Sequence, residues 1–444
     1  MKSLSPLLKI SFLFIVTFIL NTGLAASNLL VYTDNGVTIC KDFYSQKQIY
    51  SNKDATKTIR FALDHVNENG GGSIHMAAGL YEISEPLVIG NNIKFEGDGI
   101  ATKLKFVSST LMEGAIMVKN ADGVMITDLS VMPAEGIEVD AGIIVDNSGL
   151  CKIVNIYVFD FHKYGIWLRN RSFLSSIDGC TVGGNKIANI YLDGLSKDGR
   201  YGNFIPNLIT HTMIIGGGKG IEARNALVTH IIGCMIHQTN DIAIHLHSTS
   251  NSILISGCRT FQISNDALVI ENTDELNVTA NIFSWHEGNG IVIKNSAWGN
   301  ISGNEFTDTG SFNPGTRDQT SGIEELPVGF EGKVAILMKN VTGFHVGGNA
   351  IFNWGVCPKM KYGIEEDSLS HNNILSGNNI NYFALKGIKS AGTGTLILNN
   401  ISHGEIPYTR IKMDEDKEKG RTFDTKTLQS YQPELTTEFI NSLR

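Results

Sequence analysis

The sequence predicts an all-β solenoid, in which short strands stack turn upon turn, and three repeated patterns point to it. The first is a block of five residues. Starting at Gly142, Gly165, Asn189, Gly220, Ala243 and Ala267, the chain reads GIIVD, GIWLR, NIYLD, GIEAR, AIHLH and ALVIE, at separations of 23, 24, 31, 23 and 24 residues. Blocks of the same kind open at Gly290, Ala335, Gly363 and Gly387. A unit this small cannot bury its own apolar face, so it is stable only against a neighbour, as one strand in each turn of a solenoid.

The second pattern is the alternation inside each block. Second and fourth positions, such as Ile143 and Val145 or Ile166 and Leu168, are apolar and point inward under the two-residue period of a strand. Third positions then point outward and stack as Ile144, Trp167, Tyr191, Glu222, His245, Val269 and Val292. Fifth positions form a polar column of Asp146, Arg169, Asp193, Arg224, His247, Glu271, Lys294 and Lys339.

The third pattern is a pair of side-chain ladders. Asn155, Cys180, Cys234, Cys258, Asn281, Asn304, Asn349, Asn378 and Asn400 recur at one place in the unit. Inward amides there can bond from turn to turn, and a buried thiol is a small hydrophobe that fits the same slot. Asn147, Asn170, Asn225, Asn272, Asn295 and Asn340 follow the polar column, where a bend needs residues that tolerate the left-handed conformation.

On these columns, from roughly Ala55 to Lys412, the chain resembles the right-handed parallel β-helix superfamily of pectate lyases and related carbohydrate enzymes. The resemblance implies a single-domain right-handed parallel β-helix that acts on a polysaccharide or oligosaccharide. It also implies a helix capping the first coil. The stretch DATKTIRFALDHVNENGGG supplies one, with Ile59, Ala62, Leu63 and Val66 at helical spacing and a stop at glycine.

The ends and insertions have their own signatures. Residues 1–26 carry Lys2 and Lys9, an apolar run and small residues at GLAAS, which predicts a secretory signal and a secreted or periplasmic protein. The solenoid domain is expected over 27–412 and a charged tail over 413–444. Extra residues around LSKDGRYGNF, between Asp308 and Gly332, and in GVCPKMKYG must leave the solenoid as loops. The spacing of the six cysteines favours free, buried thiols, with a bridge between Cys234 and Cys258 as the alternative.

Composition narrows the partners. A net charge of −8 without basic runs makes nucleic acid and anionic membrane poor partners. It also sits awkwardly with a strongly anionic polysaccharide unless cations or local Arg and Lys intervene. A homo-oligomer is left open.

For chemistry, the outer face from Trp167 to Lys294 is the expected glycan groove. Trp167 and Tyr191 would stack on sugar rings, while Arg169, Asp193, Glu222, Arg224, His245, His247 and Lys294 would bond hydroxyls. A charge ladder bonding across strands gives the same pattern without function. His245 and His247 share one outward face about 7 Å apart, near enough to share a substrate or a metal. No complete ligand set follows from sequence, so no metal or other cofactor is expected, with calcium admitted for a uronate lyase.

Catalysis is expected from the acids Asp266, Glu271, Asp274 and Glu275, since glycosidic cleavage uses two carboxyl groups a few ångströms apart. Here NDALVIENTDELNVTANIF is similar to the matching coil of inulin fructotransferases. That likeness implies Asp266 as one acid and Asp274 or Glu275 as the other. Lyase, fructotransferase-like and hydrolase activities all remain open, and the competing class is a non-catalytic glycan-binding or adhesive solenoid. Arg410-Ile411-Lys412 resembles a polygalacturonase triplet, but the partner motifs of that family are missing.

Overall fold

The computed structural model describes residues 26–403, apart from 109, 195–206, 249, 311–331, 354–359 and 382. The signal segment to residue 25, the bulk of the three long insertions, Cys357, Arg410-Ile411-Lys412 and the tail over 413–444 lie outside the described residues.

Each turn of the solenoid contributes three strands, each joining its own parallel ladder. The predicted blocks build the first ladder, in which Ile143, Ile166, Ile190, Ile221, Ile244, Leu268, Ile291, Ile336 and Ile364 pair in register and are fully buried. Burial of each such side chain contributes about 1.5–3 kcal/mol, and in-register stacking repeats the gain at every turn. Two further ladders complete the turn. Ser176–Asp178, Asn207–Thr210 and Thr229–Ile232 belong to one, and Thr181–Gly183, Met213–Ile215 and Met235–His237 to the other. Several of these strands are only three residues long, too short for an alternation to show in sequence.

The corners follow from side-chain chemistry. Asn147, Asn170, Asn225, Asn272, Asn295 and Asn340 all take the left-handed conformation, with φ from 49° to 58°, and turn the first ladder into the second. On the inner side, the amide Nδ2 of Asn281 donates to Oδ1 of Asn304 at 2.9 Å, Asn304 to Asn349 at 3.0 Å, and Asn349 to Asn378 at 2.9 Å. Asn378 continues to Asn400, and each of these amides also donates to a backbone carbonyl of the preceding turn. Cys180, Cys234 and Cys258 fill the same slot in the earlier turns, where their thiols reach the carbonyls of Ile153, Ile209 and Ile231. Asn155 is not part of this ladder. Its backbone is left-handed (φ 51°) and its exposed side chain bonds Asp128.

All five cysteines among the described residues are free and buried. The thiols of Cys234 and Cys258 bond each other rather than forming a bridge, and burial together with the neighbouring thiol pushes Cys234 far above its ordinary pKa.

At the N-terminal end, α1 (Ala55–Glu68) closes the first coil. Its cap, Asp54, accepts the Thr56 backbone N–H at 2.9 Å, a contact worth about 1 kcal/mol, and Ile59, Ala62, Leu63 and Val66 are buried as expected. An antiparallel meander precedes it, which the repeat does not announce. β1 (Ser27–Asp34) pairs with β2 (Val37–Asp42), β2 with β3 (Gln48–Asn52), and β1 also pairs in parallel with β4 (Gly72–Met76). No helix among the described residues is long and apolar enough to cross a membrane.

Candidate functional site

The first ladder presents its outer face as one strip. Trp167 pairs with Tyr191, Tyr191 with Glu222, and Glu222 with His245. Beside them Asp146, Arg169, Asp193, Arg224 and His247 are likewise in register. All nine residues expected to bind substrate therefore share one face. The strip is less open than its pattern suggests. Ile144, Val269, Val292 and Tyr191 are buried outside the central core, because in-register neighbours one strand spacing away crowd large side chains together.

Three aromatic rings open the strip. Tyr164 lies 4.9 Å from Trp167 and 4.8 Å from Tyr191, with Trp167 and Tyr191 6.0 Å apart. Tyr164 escapes the alternation rule because pairing skips Gly165, where a Cβ would come within 2.6 Å of the Asn189 carbonyl, and the phase slips by one residue. The guanidinium of Arg169 sits 4.5 Å from the Trp167 ring and bonds Asp146 and Glu113. Arg224 bonds Asp193 through two nitrogens, at 3.2 and 2.9 Å. Burial holds the Tyr164 and Tyr191 hydroxyls above their ordinary pKa, with the Glu222 and Asp193 charges adding to it, so both remain protonated at neutral pH.

The polar cluster follows one and two turns on. His245 and His247 stack at 4.5 Å between ring centres, closer than alternation along an ideal strand implies. His247 Nε2 approaches Glu222 Oε1 at 3.2 Å, and its Nδ1 meets Ser248 Oγ at 3.0 Å. Lys219 Nζ donates to Glu222 Oε1 at 2.8 Å. On the other side Lys294 donates to Glu271 Oε1 at 2.7 Å, and Glu271 Oε2 stands 3.5 Å from His245 Nε2, a close approach rather than a bond. Both ring nitrogens of His245 are buried without a hydrogen-bond partner. Lys219, Glu222, His245 and His247 are each less than 20% exposed, whereas Glu271 is 29% and Lys294 41% exposed.

Electrostatics fix the charge states. Burial raises the pKa of Glu222, but bonds from His247 and Lys219 outweigh it and bring it down to about 2. Lys294 holds Glu271 below its ordinary value. Burial, then the neighbouring His247 and Lys219, lowers His245 and keeps it neutral. Among the described residues, Glu222, His245 and His247 form the one group of three whose ligand atoms all lie within 4.8 Å of one another.

The acids around Asn272 are placed differently. Asp266 accepts the Asn289 backbone N–H at 2.6 Å and its amide at 2.9 Å, in the turn that enters the next strand. Asp274 belongs to the second ladder and accepts the Ala297 N–H at 2.9 Å. Glu275 is exposed, left-handed at φ 54°, and bonded by Ser252. Only Glu271 of the four expected catalytic acids meets the His cluster, because the bend at Asn272 carries Asp274 and Glu275 onto another sheet. Sequence reasoning missed Tyr164 and Lys219, although each precedes a repeat glycine, Gly165 and Gly220, where the pairing slips.

Residues 141–351 match the family model of the right-handed β-helix region. The sequence matches no curated protein. The A-module of the mannuronan C-5 epimerase AlgE6 from Azotobacter vinelandii aligns with a TM-score of 0.63 and 13% identity, over 79% of this chain and 96% of that one. The Dettilon tailspike protein aligns at 0.57 and 15%, over 82% of this chain and 68% of that one. A mutant tailspike of E. coli bacteriophage HK620, in complex with a hexasaccharide, aligns at 0.51 and 11%, over 78% and 76%. With three parallel ladders in every turn and these neighbours in shape, the chain is a right-handed parallel β-helix.

Proposed function

We propose that the protein is a secreted or periplasmic carbohydrate-active enzyme that holds a polysaccharide or oligosaccharide along the outer face of its first ladder and cleaves it beside Glu271. The single observation that carries this is continuity. The rings of Tyr164, Trp167 and Tyr191 pass in register, on one face, into Glu222, His245 and Glu271. Aromatic faces stack on sugar rings, and the charged groups beyond them reach hydroxyl or carboxylate oxygens. Among structures of the same shape, one is named an epimerase of mannuronan and another holds a hexasaccharide.

Elimination suits the site better than hydrolysis by two carboxyl groups. A hydrolase keeps one carboxyl protonated to serve the leaving oxygen. Here Glu222 and Glu271 are each bonded to a lysine and carry no such proton. In elimination the Glu271 carboxylate takes a proton from the carbon next to a uronate carboxylate. The electron pair left behind forms a carbon–carbon double bond, and the glycosidic oxygen departs. Fructan transfer through Asp266 has less support, since that carboxylate is occupied by Asn289.

The test is a screen of the purified protein against uronic-acid polymers, fructans and neutral glycans. The expected result is absorbance from unsaturated sugar ends on a uronate polymer. Reducing ends without that absorbance would replace elimination with hydrolysis. One observation favours a second reading, a non-catalytic glycan binder. Asp146, Asp193, Glu222 and Glu271 are all ion-paired across or along the strands, as in a purely structural charge ladder. Saturable glycan binding with no cleavage of any polymer would establish that reading instead.

A further inference from the structure

We propose that Glu222, His245 and His247 bind a divalent transition-metal ion, with zinc as the best match to two imidazoles and one carboxylate. The three side chains come from two adjacent strands, Lys219–Arg224 and Ile244–His247, that pair in register. Their ligand atoms lie within 4.8 Å of one another. A tetrahedral zinc with bonds of about 2.0–2.2 Å brings its ligands to about 3–3.5 Å, so small side-chain rotations close the site. Three protein ligands leave the fourth position to water or substrate, the pattern of a catalytic rather than a structural zinc.

Two features beyond proximity point to a ligand. Both ring nitrogens of His245 are buried without a hydrogen-bond partner, an expense that a metal bond to one of them removes. Each imidazole also has an outer partner beside one nitrogen. Glu271 Oε2 stands 3.5 Å from His245 Nε2, and Ser248 Oγ lies 3.0 Å from His247 Nδ1. Metal-binding histidines are commonly oriented in this way, by a carboxylate or hydroxyl on the nitrogen that does not touch the metal. The one competing group is the Lys219 ammonium, 2.8 Å from Glu222 Oε1. Metal binding displaces it or takes the other carboxylate oxygen.

The consequence for substrate rests on the proposed function. A divalent ion next to Glu271 supplies the positive charge that an acidic chain otherwise lacks for a uronate carboxylate. It would face that carboxylate and stabilise the negative charge that develops there as the proton leaves. The cations of the strip do not fill this role, since Arg169, Arg224, Lys219 and Lys294 are each bonded to a carboxylate of the protein.

The test reads binding without any glycan. The full chain is stripped with a chelator, zinc is titrated calorimetrically, and bound metal is counted after gel filtration. One equivalent is expected, with a rise in Tm. His247→Ala and Glu222→Gln should each weaken binding at least about a hundredfold, and Glu271→Gln about ten- to a hundredfold, as for an outer-shell carboxylate. Lys219→Met should tighten it. Circular dichroism of each apo variant confirms that it folds. Absence of stoichiometric zinc binding, or binding that survives both His247→Ala and Glu222→Gln, overturns the proposal. A protein that binds one zinc through these residues yet cleaves no glycan would keep the metal site and remove the enzymatic role.

Discussion

The carboxylates of the outer strip and those of the turn around Asn272 differ in what they accept. Asp266 and Asp274 each take a backbone N–H of the next turn, from Asn289 and Ala297. Glu222 and Glu271 take lysine ammonium groups and lie against imidazoles. A carboxylate that satisfies a backbone donor is holding the chain in place, because a buried N–H left without an acceptor is costly. A carboxylate among side chains can exchange its partners for substrate or metal. The nearest acids in sequence are thus divided between two jobs, while Glu222 and Glu271, 49 residues apart in the numbering, flank the same two rings.

Substitutions sharpen this contrast. The largest effect is expected on the strip, where Glu271→Gln removes the proposed proton acceptor and should lower turnover at least about a hundredfold while thermal stability stays near wild type. Steady-state kinetics beside a melting curve checks it, and a loss of stability without loss of rate would erase the distinction. The turn should respond in the opposite sense. Asp266→Ala deprives the Asn289 N–H of its acceptor and is expected to cost about 1–3 kcal/mol in chemical denaturation, with little change in turnover per folded molecule. Were it to cut the rate severely at unchanged stability, Asp266 would rejoin the reacting groups.

The smallest effect concerns a third turn carboxylate, Asp178, whose pKa is lowered by the hydroxyl of Thr210 and the ring of His211. Its folded value lies below its unfolded one. Its contribution to stability is therefore complete above the ordinary carboxylate pKa, about 4, and fades as pH falls through the folded value. The gap in Tm between wild type and Asp178→Asn should accordingly narrow below about pH 4. A gap that widened in acid would reverse the sign.

Much of the fold was legible because its repeat is written directly into the chain. Spacing, inward isoleucines, left-handed asparagines and the amide slot each impose one residue type at one place. Two of three ladders were hidden, since strands of three residues leave no periodic trace. The antiparallel β1–β3 meander was hidden because it occurs once. The strip was legible as a column, but the reacting group was misplaced on Asp266, Asp274 and Glu275. Neighbours in sequence seemed to be neighbours in space, whereas the bend at Asn272 separates them and the stacking brings Glu222 to His247 across 25 positions.

The amide column has a consequence for how such a molecule can change length. Asn281, Asn304, Asn349 and Asn378 make the same two side-chain hydrogen bonds, one to the asparagine ahead and one to a carbonyl behind. Any one of these coils therefore presents its neighbours with the interface they would meet if it were absent. A whole coil excised between equivalent points, such as the 23 residues from Ile282 to Asn304, rejoins identical partners above and below. In this half the chain behaves as a modular rod, and duplication or loss of a coil shifts everything beyond it along the axis without redrawing the binding strip on the cysteine-lined half.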